Sequence, residues 1–230
     1  MIQEYEKSTT LTEDLATTTP SVTIHEEGYH HSTRGFRDRF ARYFVHLLAE
    51  SADFLFKERY GHRAIVLETV AAVPGMVGGF FQHMKSLRLI RDDRGWIKTL
   101  LDEAENERVH LLVYNELACP TKLERFLIIV VQFVFSFFYF FLYLFSAKTA
   151  HRVVGYFEEE AIRSYEHFLR LVEEGKQPNV PATPFAIHYW SLAPDARLTD
   201  IIKATIKDEI VHRDVNHRFA DDKIGTRLWS

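Results

Sequence analysis

Glu107-Arg108-Val109-His110 and Glu209-Ile210-Val211-His212 are two copies of Glu-x-x-His, and their surroundings decide how this chain folds. On an α-helix, positions i and i+3 share a face, so each pair aims a carboxylate and an imidazole the same way. Working outward, a lone Glu68 precedes the first pair by 39 residues, and a lone Glu158 follows Glu107 by 51 and precedes Glu209 by another 51. Each group therefore has room for its own helix. Two Glu-x-x-His pairs plus one Glu from each of two other helices are the ligand set of a di-iron or di-manganese four-helix bundle. Six ligands of mixed oxygen and nitrogen type suit two redox-active irons, with coordination positions left for dioxygen.

One Glu-x-x-His means little, because roughly one arises by chance in a chain of this size. Glu27-x-x-His30 is such a decoy, in a Thr-rich stretch with no amphipathic pattern. The four real candidates sit within helical patterns and are flanked by apolar residues: Leu67 and Val70, Val109 and Leu111, Phe157 and Ile162, Ile210 and Val211. Charges on core-facing stripes are costly unless they are paired or bound to metal. Four such positions together argue for a buried metal site.

Composition narrows the field. The 230 residues suffice for one sizeable core, and no linker suggests a second. A net charge of -4 argues against a nucleic-acid partner. Cys119 is the single cysteine, which excludes internal disulfides, zinc ribbons and Cys-ligated iron–sulfur clusters. The N-terminus shows neither a secretory apolar core nor an Arg-rich organelle leader. The expectation drawn from this is a bacterial cytoplasmic membrane in preference to a mitochondrial inner membrane, or else a processed form.

Residues 1–33 read as a flexible N-terminal arm, 34–220 as the helical domain and 221–230 as a tail. Helical patterns cover 34–60, 62–90, 93–118, 149–174 and 195–220. Arg91-Asp92-Asp93-Arg94-Gly95 makes one turn, and Pro178, Pro181, Pro184 and Pro194 mark an irregular connection. The first helix sets Phe36, Phe40, Tyr43, Phe44 and Leu47 beside Arg34, Arg37, Arg39 and Arg42. That suits either an anionic bilayer surface or an ordinary core-facing helix. Residues 126–147 carry ten aromatics and no charge, enough by length and hydropathy for a transmembrane helix. A span would put Glu107 and Glu158 on opposite sides of the bilayer, and returning Glu158-Glu159-Glu160 through lipid is expensive. The segment is therefore expected to be a crossover packed on the bundle and sunk partly into one leaflet. The fold expected is all-α, a ferritin-like di-iron four-helix bundle with two additional membrane-associated helices.

Around the ligands the chain resembles the alternative oxidases, the cyanide-insensitive di-iron ubiquinol oxidases. The resemblance is carried by Leu67-Glu68-Thr69-Val70-Ala71-Ala72-Val73-Pro74-Gly75, Asn106-Glu107-Arg108-Val109-His110-Leu111, Phe157-Glu158-Glu159-Glu160-Ala161 and Lys207-Asp208-Glu209-Ile210-Val211-His212-Arg213-Asp214. It runs from about residue 35 to 220. Departures are Phe157 for a usual Leu, Ile206-Lys207 for Arg-Ala, and Val211 where a further His is frequent; none touches an expected ligand. The resemblance implies oxidation of ubiquinol and reduction of dioxygen to water without proton pumping, two iron ions, attachment to one leaflet of a respiratory membrane, and a homodimer. It implies a redox-active Tyr165. Spacing agrees, since Tyr165 lies two turns after Glu158 on the same face, although a core tyrosine has the same spacing. It also implies a supporting shell of Asn106, His151, Trp190 and Asp208, and a quinol pocket of Arg63, Leu67, Glu160, Ala161 and Ser164. Arg63 reads equally as a helix-end surface charge. Alternatives within reach are a plastid-type terminal oxidase, a quinone hydroxylase, or a ferritin-like iron store; the uncharged 126–147 stretch disfavours the store.

Overall fold

The computed structural model describes residues 23–26, 28–56, 60–222 and 225–228. Six helices form among them: α1 (Phe36–Phe56), α2 (Tyr60–Leu89), α3 (Trp96–Ala118), α4 (Lys122–Glu173), α5 (Pro184–Trp190) and α6 (Leu198–Asp221). Strands are absent among the described residues, apart from a single antiparallel bridge between Pro181 and Arg197. Glu27 of the decoy motif and residues 1–22 of the arm lie outside the described residues.

Local signals explain the boundaries. Gly95 adopts φ 80° ahead of α3, in the expected turn. Thr121 starts α4 with a capping box, accepting from the Glu124 amide while Glu124 reaches back to the Thr121 amide. Thr183 caps α5, a short helix with Pro184 in its first turn, inside the stretch expected to be irregular. Proline tolerated at a helix start was read there as a breaker.

The decisive feature is inside α4. Ser146 leaves helical geometry at φ -156°, ψ 82°. Eight helical residues span about 12 Å, yet Tyr143 and His151 are hydrogen-bonded at 3.0 Å. Leu142 likewise packs in one cluster with Val153, Tyr156 and Phe157. The chain therefore folds back at Ser146, giving a first limb, 122–145, and a second, 147–173. The Ser146 hydroxyl accepts from the Thr149 amide at 3.3 Å and so caps the second limb. The two limbs match the two helices expected from sequence.

The second limb packs along α6, and α2 packs along α3 and α4. These four elements make the bundle. One core cluster joins Ile65, Val113, Ile162, Tyr165, Ile201 and Ile202 across all of them. Close approach has its own residues. A Cβ on Gly75 would lie 2.3 Å from the Leu100 carbonyl oxygen, and one on Gly155 would lie 2.5 Å from the His217 ring. Only glycine lets α2 meet α3, and α4 meet α6, at that spacing.

The first limb of α4 lies outside the bundle, along α2. Phe135, Tyr139 and Tyr143 pack with Val73, Val77 and Phe81. α1 joins it through Phe44 stacked on Phe138 at 4.9 Å. Their outer faces carry exposed large apolar residues, including Phe36 (77% exposed), Phe133 (72%) and Phe145 (81%). Residues 23–26 and 28–35 run outside helices against α4 and α6: the His25 amide donates to Asp214 and the His31 amide to Glu159. Beyond α6, Gly225 accepts from Gln82 and Lys85.

Candidate metal centre

Glu68 comes from α2, Glu107 and His110 from α3, Glu158 from the second limb of α4, and Glu209 and His212 from α6. All six are buried. Ligand atoms of Glu68, Glu107, His110 and Glu209 lie within 4.8 Å of one another. His110 Nδ1 is 3.4 Å from Glu68, 3.6 Å from Glu107 and 3.3 Å from Glu209. His212 Nδ1 joins from the other side, 2.7 Å from Glu107 and 3.4 Å from Glu209. Glu158 stands beside Glu209 and interacts with it directly.

These atoms approach without bonding. Glu68 Oε2, both Glu107 oxygens, Glu209 Oε2, His110 Nδ1 and His212 Nδ1 are buried and have no hydrogen-bond partner. The 2.7 Å between His212 and Glu107 is close enough for a hydrogen bond but lacks its angles. Buried polar atoms are almost always satisfied, so these six orphans, on five neighbouring residues, mark a place that could hold cations. Mixed carboxylate and imidazole donors match transition-metal preferences.

Electrostatics agrees. Burial first, then neighbouring carboxylates, pushes the Glu68 and Glu158 carboxyls well above their ordinary range. Burial also acts to raise Glu107, but contacts with His110 and His212 outweigh it and hold Glu107 well below. Burial would lower both imidazoles, yet the surrounding carboxylates raise them well above theirs. The cluster is short of positive charge.

Around the ligands, His110 Nε2 faces Asp208 at 3.1 Å, with the ring turned so that Nδ1 points into the cluster. Asp208 also accepts from Asn106 at 3.0 Å and from the Trp190 indole at 2.8 Å, and the Trp190 ring stacks on His110. Three donors on one carboxylate fix the imidazole's tautomer and tilt. His151 is placed elsewhere. Its Nδ1 bonds Asn216 at 2.9 Å and its Nε2 bonds Tyr143, so it touches neither expected ligating imidazole. Asn216 in turn donates to both oxygens of Glu103, a buried carboxylate that burial pushes up to about 7. Sequence reading missed Glu103 and Asn216. The signal was there for Glu103, one turn before Glu107 on the same face, and Asn216 stands in the fourth family signature, which extends through Val215-Asn216-His217.

Tyr165 is buried and donates its hydroxyl to Glu68 Oε1. Its ring stacks on Tyr114 at 5.4 Å, another residue that sequence reading left out. Of the residues expected at a quinol pocket, Arg63, Ala161 and Ser164 are buried, and Leu67 and Glu160 are half-buried. Arg63 ion-pairs with Asp53, so its guanidinium is not a free surface charge. Glu160 pairs with Arg163 at 2.7 Å. The expected residues of this pocket thus lie on two elements, Arg63 and Leu67 on α2 and Glu160, Ala161 and Ser164 on the second limb of α4.

An all-helical bundle with carboxylates and imidazoles converging in its core defines the class: a metal-carboxylate helical bundle. Comparison sharpens the class to a family. The alternative oxidase family profile matches residues 19–221. Among similar proteins, the mitochondrial ubiquinol oxidase of Mangifera indica is 53% identical over 193 residues, 84% of this chain and 60% of that protein. Ubiquinol oxidase 1a of Arabidopsis thaliana, also mitochondrial, is 54% identical over 193 residues, 84% of this chain and 54% of that protein. The mitochondrial ubiquinol oxidase of the fungus Batrachochytrium dendrobatidis is 53% identical over 183 residues, 80% of this chain and 56% of that protein. The chain belongs to the alternative oxidase family, and it spans less than two thirds of the length of these relatives.

One expectation falls here. A bacterial cytoplasmic membrane was favoured because no organelle leader was visible at the N-terminus. Relatives more than half identical, from plants and a fungus, are mitochondrial proteins. They are also longer than this chain, so where the present sequence starts carries no information about address.

Proposed function

We propose that the protein is a ubiquinol oxidase that reduces dioxygen to water at two irons held by Glu68, Glu107, His110, Glu158, Glu209 and His212. The observation that carries this reading is the set of six buried atoms of Glu68, Glu107, His110, Glu209 and His212 that have no hydrogen-bond partner, with Glu158 beside Glu209. Bound iron supplies the redox chemistry and the dioxygen site. Two ubiquinols give four electrons and four protons, and one dioxygen takes them to become two waters. The protein's own residues do the rest. The Asp208 carboxylate, with Asn106 and Trp190, holds His110 in register. The Tyr165 hydroxyl, bonded to Glu68, is placed to give a hydrogen atom or proton at the cluster and regain it from quinol. Arg63 and Glu160 would address the quinol oxygens while Leu67 and Ala161 pack the ring, with Ser164 in the same pocket by family resemblance.

The same reading places the protein on one leaflet of a mitochondrial membrane, through the outer faces of α1 and the first limb of α4. Two helical stretches, Gly61–Leu89 and Lys122–Glu173, are long and apolar enough to cross a bilayer. The first carries Glu68 and packs into the bundle. The apolar limb of the second lies along α2, so a crossing would carry Glu68 and its neighbours into lipid, at high cost. Outward-facing aromatics on both helices favour partial immersion instead. A homodimer completes the reading, by family resemblance.

The test is oxygen uptake by membranes carrying the chain, with added ubiquinol and cyanide, alongside iron analysis of purified protein. Cyanide-resistant, quinol-dependent uptake with about two irons per chain is expected. Iron-loaded protein that consumes no oxygen with quinol would overturn the assignment.

A further inference from the structure

A cavity of about 530 Å³ opens between the coil before α1, α1 itself and the second limb of α4. Its charged lining is His30, Arg39, Arg42, His46, Glu159 and Glu160. The acids there are already satisfied. Glu159 accepts from the His31 amide at 2.8 Å and contacts His217 at 3.0 Å and His30 at 3.1 Å, and Glu160 pairs with Arg163. His46 pairs with Glu50 at 3.2 Å. Among the described residues no carboxylate pairs with Arg39 or Arg42. The cavity therefore presents two guanidiniums without an ion-pair partner, the groups best shaped to grip a phosphate. Tyr43 and Val45 add apolar surface to the lining, and Tyr43 continues on α1 into the exposed Phe36, Phe40 and Leu47.

We propose that this cavity seats the glycerophosphate headgroup of one membrane phospholipid, with Arg39 and Arg42 on the phosphate and the acyl chains along the exposed aromatics of α1. The proposal rests on the leaflet attachment proposed above, and it adds a stoichiometric, phosphate-specific lipid to a general apolar contact. A quinol, which Glu160 would address at the cavity's edge, is uncharged and leaves the guanidiniums unmatched; a free anion leaves Tyr43 and the exposed aromatics beyond it bare.

Native mass spectrometry of the full chain, purified in non-ionic detergent and phosphate-free buffer, tests this. The probes are dioleoylphosphatidylglycerol, dioleoylglycerol with the same chains but no phosphate, and inorganic phosphate. Wild type is expected to retain one phosphatidylglycerol and neither other probe. R39Q/R42Q is expected to weaken retention at least about tenfold, as for loss of charge-assisted bonds. R37Q makes a single charge change on the same helix outside the cavity, and it should match wild type; R42Q alone serves if the double variant is unstable. Equal retention by R42Q and wild type overturns the site. So does equal loss with R37Q, which would mean unspecific charge, or equal binding of dioleoylglycerol or of inorganic phosphate alone. Displacement of the lipid by decylubiquinol would assign the cavity to substrate instead. Oxygen uptake on the same samples separates the two readings: selective lipid retention by a protein that does not oxidise quinol sinks the oxidase reading and leaves this site standing.

Discussion

At the residue scale the centre is built from side chains that are individually unfavourable where they sit. Tyr165 shows how little must change to test its role. Tyr165→Phe removes one hydroxyl and keeps the ring stacked on Tyr114. Iron content and melting temperature should stay near wild type while oxygen uptake falls at least about a hundredfold, the range for loss of a proton-transfer group. Wild-type turnover in a folded, iron-loaded variant would remove Tyr165 from the chemistry. His151 gives a second residue-level prediction. Burial lowers it to about 4 from 6.5, outweighing the hydrogen bond to Asn216, which acts to raise it. A base with a depressed folded pKa contributes stability that is fully present above pH 6.5 and lost as pH falls toward 4. The loss is on the order of 3 kcal/mol from this group. Thermal melts from pH 7 to 4 should show the decline in wild type and a shallower one in His151→Gln. Identical slopes would mean that other groups govern acid sensitivity.

At the element scale the fold-back of α4 at Ser146 matters most, because it lets one apolar segment lie outside the bundle and the next carry Glu158 inside. Ser146→Ala removes the cap of the second limb and should cost about 1 kcal/mol. For a chain of this size that is a fall of roughly 2–4 °C in melting temperature. A larger loss, with iron release, would show that the hydroxyl also sets the angle between the limbs. The apolar limb makes its own prediction. Its Phe133 and Phe137 face outward, so Phe133→Asp/Phe137→Asp should release protein from salt-washed vesicles while leaving iron bound. Salt does not weaken hydrophobic attachment, whereas a buried charge does. Tags at residues 120 and 149 should be labelled from the same side of sealed vesicles; opposite sides would mean that the limb spans.

At the scale of the whole molecule, four elements meet over a cluster that lacks positive charge, so bound metal and folded bundle are linked. Chelation should lower the melting temperature, and iron(II) should restore it. Glu158→Ala should lose most of its iron and its activity together, because it removes a carboxylate from a site where no other group stands in. Full loading and activity in that variant would sink the ligand assignment.

How much of this was legible in advance follows from the range of each interaction. That Glu68, Glu107, His110, Glu158, Glu209 and His212 would be buried in the core was readable because helical periodicity is local: i and i+3 share a face in any fold, and core-facing charge needs a partner wherever it lies. The uncharged 126–147 segment and its link to the bundle were readable for the same reason. The partners of His151 and the Asn216–Glu103 contact were not. His151 and Asn216 are 65 residues apart, and Asn216 and Glu103 are 113 apart, and no periodicity joins residues on different helices. The pairing of Arg63 with Asp53 was likewise hidden, since ten residues and a break between two helices separate them. Where Arg39 and Arg42 stand beside acids that are already satisfied was hidden too. The sequence by itself determined which faces must be buried and which charged residues they carry. The tertiary structure alone decided which buried groups meet, because the angles at which helices cross and the glycines that let them close are properties of the assembled bundle.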